Sequence, residues 1–242
     1  MRTVSWFSCG AASAIATKLS NPDVIAYCYT GAEDIDNARF MLDCEDWFGK
    51  SITMLKNGKY DSTWDVWEKK SYISGISGAP CTSELKIKPR LEFEKPGDIH
   101  IFGYTADYAD VVRAESLKEN WPDLIIKTPL IEAGLTKSAC LSLLKSAGIK
   151  PPRTYAMGFP NANCIPCCKA TSPSYWALVR KHFPVEFERM NELSTRLGVR
   201  LTRLNGERDF ISNIPIDFPT TEAIAPDCDF LCQIAEQTIG IA

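Results

Sequence analysis

Thr3-Val4-Ser5-Trp6-Phe7-Ser8-Cys9-Gly10-Ala11-Ala12-Ser13, followed by Ala14-Ile15-Ala16-Thr17-Lys18-Leu19, decides the fold. A β-favouring run around Val4, Trp6 and Phe7 stops at Ser8-Cys9-Gly10. Small residues then lead into a helical pattern, with Ile15 and Leu19 on one face. The stretch reads as strand, tight turn, helix. Such a turn lets backbone approach a ligand closely, and the helix start offers unpaired N–H groups to a phosphate. Ser8 and Ser13 add hydroxyls at the two ends of the loop.

Outward from this unit, Asp23–Tyr29 is a second β-rich run closed by Thr30-Gly31. Asp34–Gly49 reads as a helix, and Ser51–Leu55 as a third strand. Strand, helix, strand, helix, strand in succession predicts a parallel sheet, whose ligands sit beyond the carboxyl ends of the strands. The Ser8–Ser13 turn and Thr30-Gly31 both fall at that edge. An aromatic helix around Trp64 and Trp67 is broken by Gly75, Gly78 and Pro80. The next helix, from Cys81, carries Lys86, Lys88 and Arg90, which are placed to reach a phosphate or to form a solvated face.

Asp98–Gly103 is a fourth strand, running into Tyr104-Thr105-Ala106-Asp107 and a helix from Tyr108 to Leu117 that carries Arg113. Leu124–Ile126 is a fifth, and Thr136 caps a helix ended by Gly148. The fold class expected is therefore α/β, with a sheet domain over 1–150. Over 151–242 the pattern turns helical and irregular, with a helix from Glu186 to Leu197. From Asn205 little periodicity remains, and a tail of this length calls for something to tie it down.

An apolar content of 45% and a charged content of 24% describe an ordinary globular chain. No apolar run approaches the roughly 18 residues of a membrane span, and no secretory leader is visible, so a cytoplasmic location is expected. A net charge of −3 argues against a general nucleic-acid coat. The ten cysteines are unusual for such a chain. Cys164-x2-Cys167 and Cys228-x3-Cys232 form two pairs suited to one four-thiolate site, either zinc or a [4Fe–4S] cluster, with Cys168 able to replace Cys167. Cys9, Cys28, Cys44 and Cys140 read as buried apolar residues, and the role of Cys81 is open. His100 and His182 have no ligand-spaced partners, and no Ser/His/Asp grouping stands out.

Taken in order, the motifs resemble the phosphoadenosine phosphosulfate (PAPS) reductase family, in the PP-loop or adenine nucleotide alpha-hydrolase superfamily, and especially its compact phage and bacterial members. The matching stretches are Ser8–Ser13, Thr30-Gly31, Cys81-Thr82…Leu85-Lys86…Pro89, Gly103–Asp107 with Arg113-Ala114-Glu115, Asn163-Cys164-Ile165-x-Cys167, and Cys228-x3-Cys232. The resemblance implies a Rossmann-like (HUP) sheet of order 3-2-1-4-5, plus a C-terminal metal-binding region.

It also implies an adenine-nucleotide site (PAPS, APS or ATP, with Mg2+ among the cofactors). Ser8, Cys9, Gly10, Ala11 and Ser13 would hold the phosphate or sulfate end. Thr30, Gly31, Gly103, Tyr104 and Thr105 would line the nucleoside. Lys86 and Arg113 would neutralise anionic oxygens, and Cys228 would be a nucleophile or a metal ligand. The expected activity is sulfonucleotide reduction or a related reductive transfer, with a thioredoxin-like thiol donor, in a homodimer, in the host cytoplasm for a phage-encoded member.

Two departures stand out: Ala12 replaces the Asp of ATP-splitting members, and Asp227-Cys228-Asp229-Phe230-Leu231 lacks the Gly and His of the reductase terminus. Two alternatives therefore stay open. One is an ATP-dependent sulfurtransferase that thiolates a nucleic acid and releases pyrophosphate; the other is a non-catalytic module that sequesters a nucleotide.

Overall fold

A computed structural model describes residues 1–227 and 230–240, and the side chains of all of these except 230–233. Five strands form one parallel sheet in the order β3-β2-β1-β4-β5: β1 (Thr3–Phe7), β2 (Val24–Cys28), β3 (Ile52–Leu55), β4 (Ile99–Ile101) and β5 (Ile125–Lys127). This is an α/β fold with the strand order the resemblance implied.

Helices α1 (Ala11–Ser20), α2 (Asp36–Phe48) and α3 (Thr63–Lys70) follow the first three strands. Between β3 and β4 the chain also winds through α4 (Pro80–Thr82), a π-helical turn (Ser83–Ile87) and α5 (Lys88–Phe93). Then come α6 (Tyr108–Asn120), α7 (Pro129–Glu132), α8 (Lys137–Ser146) and α9 (Arg153–Ala156), followed by α10 (Pro173–His182), α11 (Pro184–Arg196) and α12 (Phe230–Ile239). Thr136 caps α8 as expected, its hydroxyl accepting from the Ala139 N–H.

Strand β1 is central and buried on both sides, as parallel sheets require. Its alternation separates two faces. Phe7, with Ile25, Tyr27 and Ile101, joins a core built by residues of α1, α2 and α8, and by Ala235 and Ile239 of α12. Val4, Trp6 and Ala26 belong to a smaller cluster, flanked by Cys28, Phe93 and Phe102. Ser5 on β1 shares a 2.7 Å hydrogen bond with Thr17, which pins α1 to the sheet.

The later chain builds a further core in which Trp64 and Trp67 of α3 meet Phe159, Ile165, Trp176, Phe187, Met190 and Ile211. Two expectations change here. The segment from Asn205 is not shapeless: β6 (Thr202–Leu204) and β7 (Glu207–Asp209) pair antiparallel around Asn205-Gly206, both with positive φ. The tail up to Asp227 is also held by ordinary contacts. Arg180 donates to the carbonyl of Ile214, Thr221 to that of Gly158 at 2.9 Å, and Ser138 to that of Ala225 at 2.8 Å. None of the described helices is long and apolar enough to cross a membrane.

Candidate functional site

At the carboxyl end of β1 the chain turns sharply. Cys9 adopts φ 54°, a left-handed conformation that costs a non-glycine residue energy. This turns the Cys9 side chain into the core, where it is fully buried with its thiol near the Asn37 carbonyl. The turn gathers polar hydrogens on one hydroxyl. Ser13 Oγ accepts from the Ser8 N–H at 3.1 Å, the Ser8 hydroxyl at 3.2 Å and the Gly10 N–H at 3.3 Å, and it donates to the Gly10 carbonyl. Donors converging on one acceptor are the arrangement that a phosphate oxygen exploits at a helix start. The Ala11 N–H is committed elsewhere, donating to the Tyr155 phenol oxygen at 3.1 Å.

Gly103, just after β4, fixes the other side of this turn. A Cβ there would lie 2.7 Å from Ser13 Cα and 2.8 Å from Ser13 N, so only glycine lets the strand end pass the loop backbone. Gly31 does similar work after β2, where a Cβ would fall 2.3 Å from the Asp61 carbonyl oxygen.

Beyond these strand ends lies a cleft with three lobes. The first, about 410 Å³, lies over Trp6 and Ala26 and is closed by Ile87, Phe102, Leu117 and Trp121. The second, about 190 Å³, lies against Gly10 and Ser13, with Arg113 and Lys137 on its wall. The third, about 530 Å³, is lined by Cys81, Cys164, Cys167 and Cys168 beside Lys86 and Lys169. Tyr104 and Asn163 line all three, so the lobes adjoin one another.

Lys86 sits between the apolar and thiol lobes. It is ringed by protein yet still reached by solvent. Burial draws its pKa down, but Cys164, Glu33, Cys167 and Cys28 outweigh that, and the net shift is upward, so the ammonium stays charged. The π-helical turn sets this orientation; such turns insert an extra residue into a helix and re-aim its side chains. Lys88 points elsewhere and pairs with Glu84 at 2.7 Å, so the expected trio does not converge.

Arg90 does reach the first lobe, buried and stacked 4.1 Å over the Trp121 ring, with Glu94 3.3 Å away. Burial lowers its pKa and raises that of Glu94. Its Nε and Nη2 have no hydrogen-bond partner.

Arg113 lines the second and third lobes but is largely exposed and paired with Asp110 at 3.0 Å. Thr30 lines the thiol lobe; its hydroxyl donates to Glu33 and lies 3.0 Å from Cys164 Sγ. The Ile165 N–H donates to the Ala32 carbonyl at 2.7 Å, which docks the Cys164–Cys168 loop against the chain just beyond β2.

Cys9, Ala11, Gly31 and Thr105, expected at the nucleotide, do not line the cleft. Thr105 is fully buried and bonds Asp107 and Asp110 at the start of α6. Residues that sequence reasoning did not assign to the site are Glu33, Tyr155, Trp121, Asn163 and Lys137. Of these, only Asn163 carried a signal, through its place in the Cys164 motif.

Cys164 and Cys167 are the described half of the expected four-thiolate set. Cys228 lies outside the described residues, and Cys232 lies in α12 with its side chain outside them. Among the described residues, no three His, Cys, Asp or Glu side chains are close enough to hold an ion. Burial pushes the Cys164 thiol up to about 12, against the pull of Lys86. Cys81 lies 3.7 Å, sulfur to sulfur, from Cys168. The hydrogen bond between them draws the Cys81 pKa below the ordinary thiol range and raises that of Cys168. His100 is buried and accepts from the Trp6 indole N–H at 3.0 Å, a structural role. No protein-family model and no curated protein matches this chain.

Proposed function

We propose that the chain is a PAPS-reductase-like enzyme that binds an adenine nucleotide across its strand ends and acts in sulfur chemistry, by sulfonucleotide reduction or a related reductive transfer. The observation that carries this reading is that the three lobes meet at the same two residues, Tyr104 and Asn163. A ligand with its nucleoside in the apolar lobe and its phosphate against Gly10 and Ser13 sets its anionic end beside the thiols. Lys86, and Arg113 once released from Asp110, neutralise the charge there.

The four-cysteine site on Cys164, Cys167, Cys228 and Cys232 belongs to the same proposal. Its all-thiolate donor set suits zinc or a [4Fe–4S] cluster. When bound, the group would supply electrons or a positive field. Metal analysis together with an anaerobic absorption spectrum distinguishes the two.

The activity is tested by incubating the protein separately with PAPS, APS and ATP under reducing conditions. Sulfite release supports reduction. AMP plus pyrophosphate from ATP would instead support the sulfurtransferase reading, and binding without turnover a sequestering module. Lys86→Ala is expected to weaken AMP binding about tenfold or more, the loss of one charge-assisted contact. Calorimetry showing unchanged affinity would remove Lys86 from the site.

A further inference from the structure

We propose that Cys81 and Cys168 form a redox-active dithiol, which closes to an intramolecular disulfide on the wall of the thiol lobe, with low-molecular-weight disulfides of the glutathione type as its oxidant. The inference rests on the placement of two sulfurs and stands apart from the nucleotide reading.

The two cysteines are far apart in sequence, yet their Sγ atoms are 3.7 Å apart. A disulfide bond is about 2.05 Å long, so a sulfur movement of under about 2 Å joins them. Cys81 belongs to the short turn Pro80–Thr82, between the loop Gly75–Ala79 and the π-helical turn.

The pair is asymmetric in a useful way. Cys81 is partly exposed at the lobe wall, whereas Cys168 is 4% exposed and packed among Ile165 and Trp176. An outside reagent therefore meets Cys81 first, and Cys168 is held behind it as the resolving thiol. Lys86 and Lys169 line the same lobe, the cationic setting in which thiolates attack. Cys164 has different partners, Thr30 and Glu33.

The chemistry is two consecutive exchanges. The Cys81 thiolate attacks one sulfur of the oxidant; the oxidant's S–S bond breaks and one small thiolate leaves. A mixed disulfide results. Cys168 then gives up its proton and its thiolate attacks Cys81 Sγ; the bond to the small thiol breaks, and the second small thiolate departs and takes up that proton. The protein loses two electrons and the oxidant gains them. A small-molecule dithiol reverses the sequence. The pair thus stores two electrons beside the space that Lys86 and Asn163 enclose.

The test treats the reduced full chain with excess oxidised glutathione under anaerobic conditions. Remaining thiols are alkylated and the protein is digested with trypsin without reduction. The expected product links peptide 71–86 to peptide 154–169 and is two hydrogens lighter than the sum of the two peptides with Cys164 and Cys167 alkylated. The link is expected to persist in Cys164→Ser and Cys167→Ser and to vanish in Cys81→Ser and Cys168→Ser. A wild-type chain without the link would overturn the proposal, whether its thiols stay reduced, hold an ion or stop at a glutathione adduct. So would a link that survives Cys168→Ser.

Discussion

The two faces of the sheet carry the same strands and have opposite fates. On one, Phe7, Ile25, Tyr27 and Ile101 are sealed under α1, α2 and α8, with Phe40 and Leu143 fully buried. On the other, the buried cluster is only Val4, Trp6 and Ala26, and its cover is thin. There α6 buries only Ala114 and leaves Tyr108 and Val112 exposed. The π-helical turn and α5 complete a roof that does not close, leaving the 410 Å³ lobe. Complete packing gives stability; a face packed to a lesser degree leaves room for a ligand.

That contrast is tested most severely by truncating one aromatic on each side. Phe40→Ala, on the sealed face, is expected to cost about 3–5 kcal/mol of unfolding free energy in a denaturant titration. Trp121→Ala, at the cleft, should cost less than about 1.5 kcal/mol, since its ring is already partly exposed. Its loss should appear instead as weaker AMP binding. Equal destabilisation by the two would break the comparison.

Gly103→Ala sharpens it. In an unstrained position this change stabilises a protein slightly, by restricting the unfolded chain. Here the new Cβ meets Ser13 backbone at 2.7 and 2.8 Å, which no rotamer change relieves. The strand end and the loop must part, at a cost of about 1–3 kcal/mol, and AMP affinity is expected to fall at least about tenfold. A variant at least as stable as the parent, with unchanged affinity, would show that the contact at the mouth of the cleft is soft.

Much of this was legible in the sequence, for reasons particular residues make clear. Val4, Trp6 and Phe7 before Ser8-Cys9-Gly10 marked both the central strand and the turn, because strand propensity and turn chemistry agree there. The Asn205-Gly206 hairpin carried a strong turn signal, but its flanking strands are only three residues each and show no alternation. The separation of Lys86 from Lys88 hinges on a single π-helical turn, which no helical periodicity reveals. The Cys9 side chain points inward because of one positive φ. The meeting of Cys81 with Cys168 is a tertiary event between segments whose spacing says nothing of each other.

The smallest effect expected concerns the sealed face alone and turns on pH. Asp36, in the first turn of α2, accepts from Arg39 Nη2 at 2.8 Å and Nε at 3.0 Å, and from the Arg153 N–H at 2.8 Å. These bonds, led by the Arg39 side chain and opposed by burial, hold its pKa at about 2. An unfolded aspartate titrates near 4. Because the folded value is the lower one, the contribution is fully present above about pH 4 and is lost as pH falls from there toward 2. Asp36→Asn should therefore lower stability at pH 7 by about 1–2 kcal/mol, and the gap from wild type should close across that acid window. Lys86→Ala, whose change lies in the cleft, should keep the wild-type slope there. If it flattened the slope as Asp36→Asn does, acid sensitivity would not belong to the sealed face, and the division between a face built for stability and a face left open for a ligand would fail.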